Sequence, residues 1–174
     1  MSYDDYESVN NLDTADQLSL LHQGDAVERV WTAWSIALRL GPRAIPELRD
    51  CLESSPSPGT RRHLIVVLAG LGERSIPESC ATQDPDEFVR STGARYLIRT
   101  SVSPIKLDLL DQLLDDPSPI VRTTVVQEIG KSWDHLPSNR IEKLINDPDP
   151  EVRHVAIEKS KDRQVNQKAE PSRL

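Results

Sequence analysis

The feature that most constrains this chain is a short motif that recurs at a nearly constant interval. A residue suited to begin a helix is followed four positions later by arginine, and this happens five times. The pairs are Asp25 and Arg29, Ser57 and Arg61, Asp86 and Arg90, Ser118 and Arg122, and Asp149 and Arg153. Successive pairs are 32, 29, 32 and 31 residues apart, which is the length of one helix pair in a repeat protein. This period predicts an all-α fold, an α-solenoid of about five helix pairs wound as a right-handed α-α superhelix.

The boundaries of the predicted helices are marked by local chemistry. In DPDEFVR, DPSPIVR and DPDPEVR, an Asp-Pro pair ends one helix and a short polar side chain caps the next. Gly41, Gly72 and Gly130 follow second helices, where a left-handed residue is usually required. The first helix of the third repeat contains Pro77 and few apolar residues, so we expect it to be the shortest, with one or two turns.

These residues resemble the HEAT-repeat family, whose superhelices are similar to ARM repeats, and most closely its short-repeat subgroup related to phycobilisome lyases. The resemblance covers about residues 15 to 160 and is carried by the DP-x-x-x-VR element, the trailing glycines and the period. It implies a structural role for the five repeat arginines, which in such repeats commonly bond an aspartate. The candidate acceptors are Asp84, Asp116 and Asp147, whereas Gln23 and Ser55 stand at the matching positions of the first two repeats.

The sequence divides into an acidic N-terminal segment (1–12), a repeat domain (13–160) and a polar C-terminal tail (161–174) with a frayed helix end. No apolar run approaches the ~20 residues that span a bilayer, so we expect no membrane association. The acidic start is also unlike a secretory signal, which favours a cytoplasmic protein.

Charge is distributed unevenly along the chain. The net charge is −7, and residues 1–28 account for all of it because they contain no lysine or arginine. The segment 159–174 has the opposite sign. Either both ends are simply solvated, or the acidic end attracts another protein with a basic patch. Nucleic acid is an unfavourable partner for a chain with a pI of about 5.1.

Residues that carry catalysis or bind metals are sparse, so we expect no enzyme, no cofactor and no metal. The histidines, His22, His63, His135 and His154, never occur at helical ligand spacing. Cys51 and Cys80 occupy equivalent positions in adjacent first helices, whose separation exceeds that of a disulfide.

The second helix of the first repeat differs from the others, because it is apolar nearly all round. Val27, Trp31, Trp34 and Leu38 form a stripe on the side turned away from its core positions. Residues 3–12 fold back over this stripe, or a partner covers it, or a partner displaces the folded segment. The predicted protein-binding surface extends along further second helices through Arg62, His63, Arg95, Tyr96 and Arg99.

The sequence therefore predicts a protein-binding α-solenoid that serves as an interaction scaffold or adaptor. One form of this function is an acidic inhibitor that sequesters a basic effector, like some bacterial immunity proteins. Two alternatives stay open. The resemblance implies a bilin lyase or a lyase chaperone, and Arg62, Arg95 and Arg99 provide a weaker case for phosphate or nucleic-acid binding.

Overall fold

The computed structural model describes residues 3–101 and 105–169, and over these ranges it contains helices and turns but no β-strand. The predicted all-α fold is therefore confirmed. The chain divides between residues 100 and 101 into two compact units. We call the N-terminal one unit 1 and the C-terminal one unit 2.

Unit 1 consists of a leading helix and three helix pairs. The leading helix is α1 (Tyr3–Asn10), and the pairs are α2 (Thr14–Gln23) with α3 (Ala26–Leu40), α4 (Ile45–Ser54) with α5 (Pro58–Gly70), and α6 (Ser75–Gln83) with α7 (Glu87–Thr100). A 3-10 turn at Gly41–Ala44 connects the first pair to the second. The second helices contact one another in chain order, α3 against α5 and α5 against α7. Each pair thus packs on the next, as the repeat period predicts.

Unit 2 contains two further helix pairs. They are α8 (Leu107–Leu114) with α9 (Pro119–Glu128), and α10 (Ser138–Ile145) with α11 (Pro150–Ala169). A 3-10 helix at Gly130–His135 follows α9. Here too the second helices, α9 and α11, contact each other.

The five predicted helix-starting residues all cap their helices. Asp25 makes a full capping box, in which its side chain accepts from Val27 N and Glu28 N while Glu28 Oε2 accepts from Asp25 N. The other caps accept in the same way from the first turn: Ser57 from Thr60 N, Asp86 from Phe88 N and Val89 N, Ser118 from Ile120 N, and Asp149 from Glu151 N and Val152 N. Gly41, Gly72 and Gly130 have positive φ, as predicted.

The core of unit 1 is aliphatic. Its buried cluster combines leucine, isoleucine, valine and alanine side chains with the two cysteines, and Phe88 lies outside it, 47% exposed. Unit 2 has one aromatic exception, because Trp133 is buried within the 3-10 helix that follows α9. No sequence pattern predicts this role for Trp133.

Two helices differ from the sequence-based expectation. The first helix of the third repeat, α6, is a full helix of 9 residues and is longer than α8 and α10, which have 8 each. Pro77 does not interrupt it because the N–H groups of the first turn have no intrahelical partner to lose. At the other end, α11 continues beyond residue 160 to Ala169. Its lysine, glutamine and arginine residues favour a helix even without an apolar face. Residues 170–174 lie outside the described chain.

Candidate functional site

The structure places the four apolar residues of the predicted stripe on α3, and three of them reach the surface. Val27 is 41% exposed, Trp34 37% and Leu38 73%, while Trp31 is half-buried. The opposite side of the same helix, with Ala33 and Ile36, is fully buried in the core of unit 1. The described chain has six large hydrophobic side chains that are exposed, and three of them belong to this stripe.

The N-terminal helix α1 packs against α3, so the predicted fold-back of residues 3–12 occurs. Polar contacts anchor it. The buried Gln17 of α2 donates from Nε2 to Val9 O and to Ser35 Oγ, each at 2.8 Å, and Ser35 Oγ donates to Asn10 Oδ1 at 2.9 Å. Val9 is buried in this contact. The side chains of Tyr3 and Tyr6 lie outside the described residues.

The cover that α1 provides is partial, because a cleft of about 520 Å³ remains between α1 and α3. Its apolar lining combines the start of the stripe with residues from α1 and α2, and its polar lining includes two carboxylates. The lining residues are Ser8, Val9, Leu12, Leu20, Asp25, Val27, Glu28 and Trp31. Trp34 and Leu38 are not part of this lining and stay exposed beyond it.

The sequence did not predict the anchor formed by Gln17 and Ser35. Both are polar residues at buried positions of amphipathic helices, and this was the available signal, since a buried amide needs partners. The sequence predicts a capping role for Asp25 but none for Glu28. Their position in the lining of the cleft follows only from the packing of α1.

The remaining predicted surface residues lie on α5 and α7 and have varied surroundings. Arg62 of α5 donates from Nε to Thr92 Oγ1 at 3.2 Å, and its guanidinium carbon lies 5.8 Å from the centre of the Phe88 ring. Arg62 thus contributes to packing between α5 and α7. His63 and Arg99 are exposed, and Nδ1 of His63 lies 2.8 Å from Gly59 O. Arg95 is half-buried, and Tyr96 is half-buried against the core cluster.

The repeat arginines form a regular set of bonds at the loops between helices. Each of the five donates to carbonyl oxygens in the loop before its own helix or at the end of the preceding helix. Arg61 and Arg122 also bond the aspartate of the following repeat through two parallel contacts, Arg61 to Asp84 at 2.8 and 2.8 Å and Arg122 to Asp147 at 2.9 and 2.8 Å. These contacts agree with the structural role that the resemblance implied.

These ion pairs shift the pKa values of Arg61, Arg122 and Asp147. The hydrogen bond to Asp84 raises the pKa of Arg61, and the one to Asp147 does the same for Arg122. Burial acts to raise the pKa of Asp147, but the hydrogen bonds from Arg122 and from the backbone N–H of Asp149 outweigh it and hold that pKa below its usual range. Arg122 and Asp147 are therefore both charged at neutral pH.

The cysteines are buried core residues. Cys51 donates from Sγ to Leu21 O at 3.1 Å, and burial raises the pKa of its thiol. Burial also raises the pKa of Cys80, to about 11. Neither cysteine forms a disulfide.

The described residues contain no group of three or more His, Cys, Asp or Glu side chains placed to hold a metal ion. Within the same part of the chain, every helix is too short or too polar to cross a bilayer.

No family model and no curated protein matches this sequence. Among solved structures, the chain is similar to the X-ray structure of YibA from Escherichia coli, with a TM-score of 0.52 and 19% sequence identity. The similarity covers 89% of this chain and 72% of YibA. At this level of identity it concerns the fold alone. YibA is a helical repeat protein, and the chain shares that all-helical repeat architecture.

Proposed function

We propose that this chain is a protein-binding module, and that its binding surface is the apolar stripe Val27, Trp31, Trp34 and Leu38 on α3. The observation that carries the proposal is the concentration of exposed apolar surface on this helix, beside a cleft that α1 leaves open. A contiguous apolar patch on a folded protein is typical of an interface. Tryptophan is also among the residues that contribute most to interface energies.

The charge of this part of the chain supports a basic partner. Residues 1–28 contain seven acidic residues and no lysine or arginine. A local field of one sign accelerates the encounter with a partner of the opposite sign and disfavours others. This function can take three forms: an interaction scaffold, an adaptor, or an inhibitor that sequesters a basic effector, as immunity proteins do. In each form the chain itself performs no chemistry, and the cytoplasm is the compartment we propose for it.

The proposal is tested by affinity capture from the native host with two forms of the protein. One is the wild type and the other carries Trp31→Ala and Trp34→Ala. We expect the wild type to retain a specific partner and the double variant to lose it, because truncating two central aromatic residues typically costs several kcal/mol of binding energy.

The matched control for this experiment is Leu107→Ala in unit 2. Leu107 is 55% exposed and apolar, but it belongs to α8 of unit 2 and not to the stripe. Its truncation should leave capture unchanged. Circular dichroism checks that the double variant is folded. If the folded double variant captures the same proteins as the wild type, then α3 is not the binding surface.

A further inference from the structure

Two residues of the stripe on α3 occupy positions at which the second helix α7 receives a neighbouring helix. On α7, Phe88 and Thr92 stand two and six residues after the cap, and both contact Arg62 of the preceding second helix α5. The equivalent positions on α3 are Val27 and Trp31. These two face α1 across the open cleft. In the described chain, α1 therefore lies where a preceding second helix would pack.

Over the described residues, the helix α1 fills only part of that place. It has 8 residues, whereas α3 has 15, α5 has 13 and α7 has 14. At 1.5 Å per residue, α1 extends about 12 Å along a neighbour that extends about 22 Å. The unfilled part is the cleft beside Val27 and Trp31 together with the exposed side chains of Trp34 and Leu38. Its shape and chemistry are those of a groove for one amphipathic helix.

Charge identifies the kind of helix that fits. The carboxylates of Asp25 and Glu28 line the cleft. Glu7 of α1 is exposed and directly precedes Ser8, which is also part of the lining. The whole segment up to residue 28 carries no positive side chain. A helix whose polar side holds lysine or arginine satisfies this field, whereas an acidic helix, or the same acidic end of a second copy, is repelled.

We infer that the α1–α3 groove binds a basic amphipathic helix of the partner protein, whose apolar side chains at i, i+3, i+4 and i+7 lie against Trp31, Trp34 and Leu38. This inference rests on the proposed function and adds the secondary structure and charge of the bound segment. Binding is strengthened by low salt, since Glu7 and Asp25 are exposed and Glu28 is half-buried, so that ions in the solvent screen their field.

The test uses synthetic peptides of about 16 residues, labelled with a fluorophore and titrated with the full chain while anisotropy is recorded. One peptide has leucines at helical spacing and lysines on the other face. A second replaces each lysine with glutamate, and a third has the composition of the first in an order that removes the helical spacing. We expect the first peptide to bind, with an affinity that falls as salt is added, and the other two to bind at least tenfold more weakly.

Variants of the protein locate the binding site. Trp34→Ala and Leu38→Ala, both at exposed side chains, should each weaken binding of the basic peptide by about tenfold or more, and Leu107→Ala should not change it. The inference is overturned if the glutamate peptide or the reordered peptide binds equally well, or if the α3 variants bind as the wild type does. Sedimentation of the chain alone tests whether a second copy occupies the groove. The inference is also overturned if the chain self-associates and Leu38→Ala abolishes that self-association.

The outcome separates this inference from the proposed function. If no peptide binds but Trp31→Ala with Trp34→Ala still abolishes capture of the native partner, protein binding at α3 stands and the basic helix is wrong. If capture is unaffected by that double variant, the proposed function itself fails.

Discussion

Replacing Gly93 with alanine probes the closest approach between two helices in unit 1. Gly93 is buried on α7, and a Cβ atom built there would lie 2.6 Å from Ala81 N and 2.8 Å from Pro77 O. Both atoms belong to the backbone of α6, so no flexible side chain can move aside. The two helices must separate to accommodate the methyl group.

Two opposing effects set the size of the change in stability. Alanine favours a helix over glycine by about 1 kcal/mol. Overpacking a filled site costs about 1 to 3 kcal/mol, and a contact with rigid backbone belongs at the upper end of that range. We therefore expect Gly93→Ala to lower the free energy of unfolding by about 2 kcal/mol.

The measurement is urea unfolding followed by far-UV circular dichroism, with Gly59→Ala as the matched control. A Cβ at Gly59 on α5 meets only Ser57 Oγ at 3.7 Å, so there the helix propensity acts alone and the same substitution should stabilise. With a slope of about 2 kcal/mol per molar urea, the Gly93→Ala midpoint should fall by about 1 M. If Gly93→Ala instead raised the midpoint as Gly59→Ala does, the close contact of α6 with α7 would not exist in solution.

Three further predictions concern ionisable groups. The hydrogen bond from Arg140 holds the pKa of Asp115 below its usual range, so the contribution of this carboxylate to stability is present above its unfolded-state pKa of about 4 and is lost as the pH falls through the lowered folded-state pKa. Asp115→Asn should therefore lower the free energy of unfolding at pH 7, and in urea titrations its difference from the wild type should shrink as the pH is lowered below about 4. Asp84→Asn should cost about 3 kcal/mol by the same measurement, because it leaves Arg61, only 12% exposed, without its carboxylate. Cys80, with its thiol pKa raised to about 11 and its side chain buried, should react with a thiol reagent at neutral pH only as fast as unit 1 opens, so immediate labelling would contradict its placement.

The parts of the fold that the sequence predicted are those fixed by local chemistry. Asp25 and Ser118 cap helices because their short side chains reach the free N–H groups of the first turn, whatever packs nearby. Gly72 ends a helix because its backbone has a φ of 88°. The helix α6 is longer than predicted, because Pro77 lies in its first turn, where proline is tolerated, and not in the helix interior, where proline breaks a helix.

The candidate site was predicted to the extent that it departs from the repeat pattern. Trp31 and Trp34 stand where the third and fourth repeats have polar residues, and this contrast is visible in sequence. The bonds of Gln17 with Ser35, and the contact of Arg62 with Phe88, join separate helices and depend on how these pack, which no local pattern encodes. The bilin-lyase and phosphate-binding alternatives stay predictions.

The missing aspartate of the second repeat has a consequence for how unit 1 opens. Where later repeats place a carboxylate, Ser55 has a buried hydroxyl with no hydrogen-bond partner, and Arg29 donates to the carbonyl oxygens of His22 and Gly24 instead. The boundary between the first two helix pairs therefore lacks the two-contact ion pair that spans the next one, from Arg61 to Asp84. Amide protons of α2 and α3 should exchange with solvent earlier than those of α5 and α7, as a sub-global unfolding unit of their own. Any molecule that binds α3 stabilises the folded form of this pair and so slows that exchange. Amide exchange in α2 and α3 therefore reports directly whether a ligand is bound there.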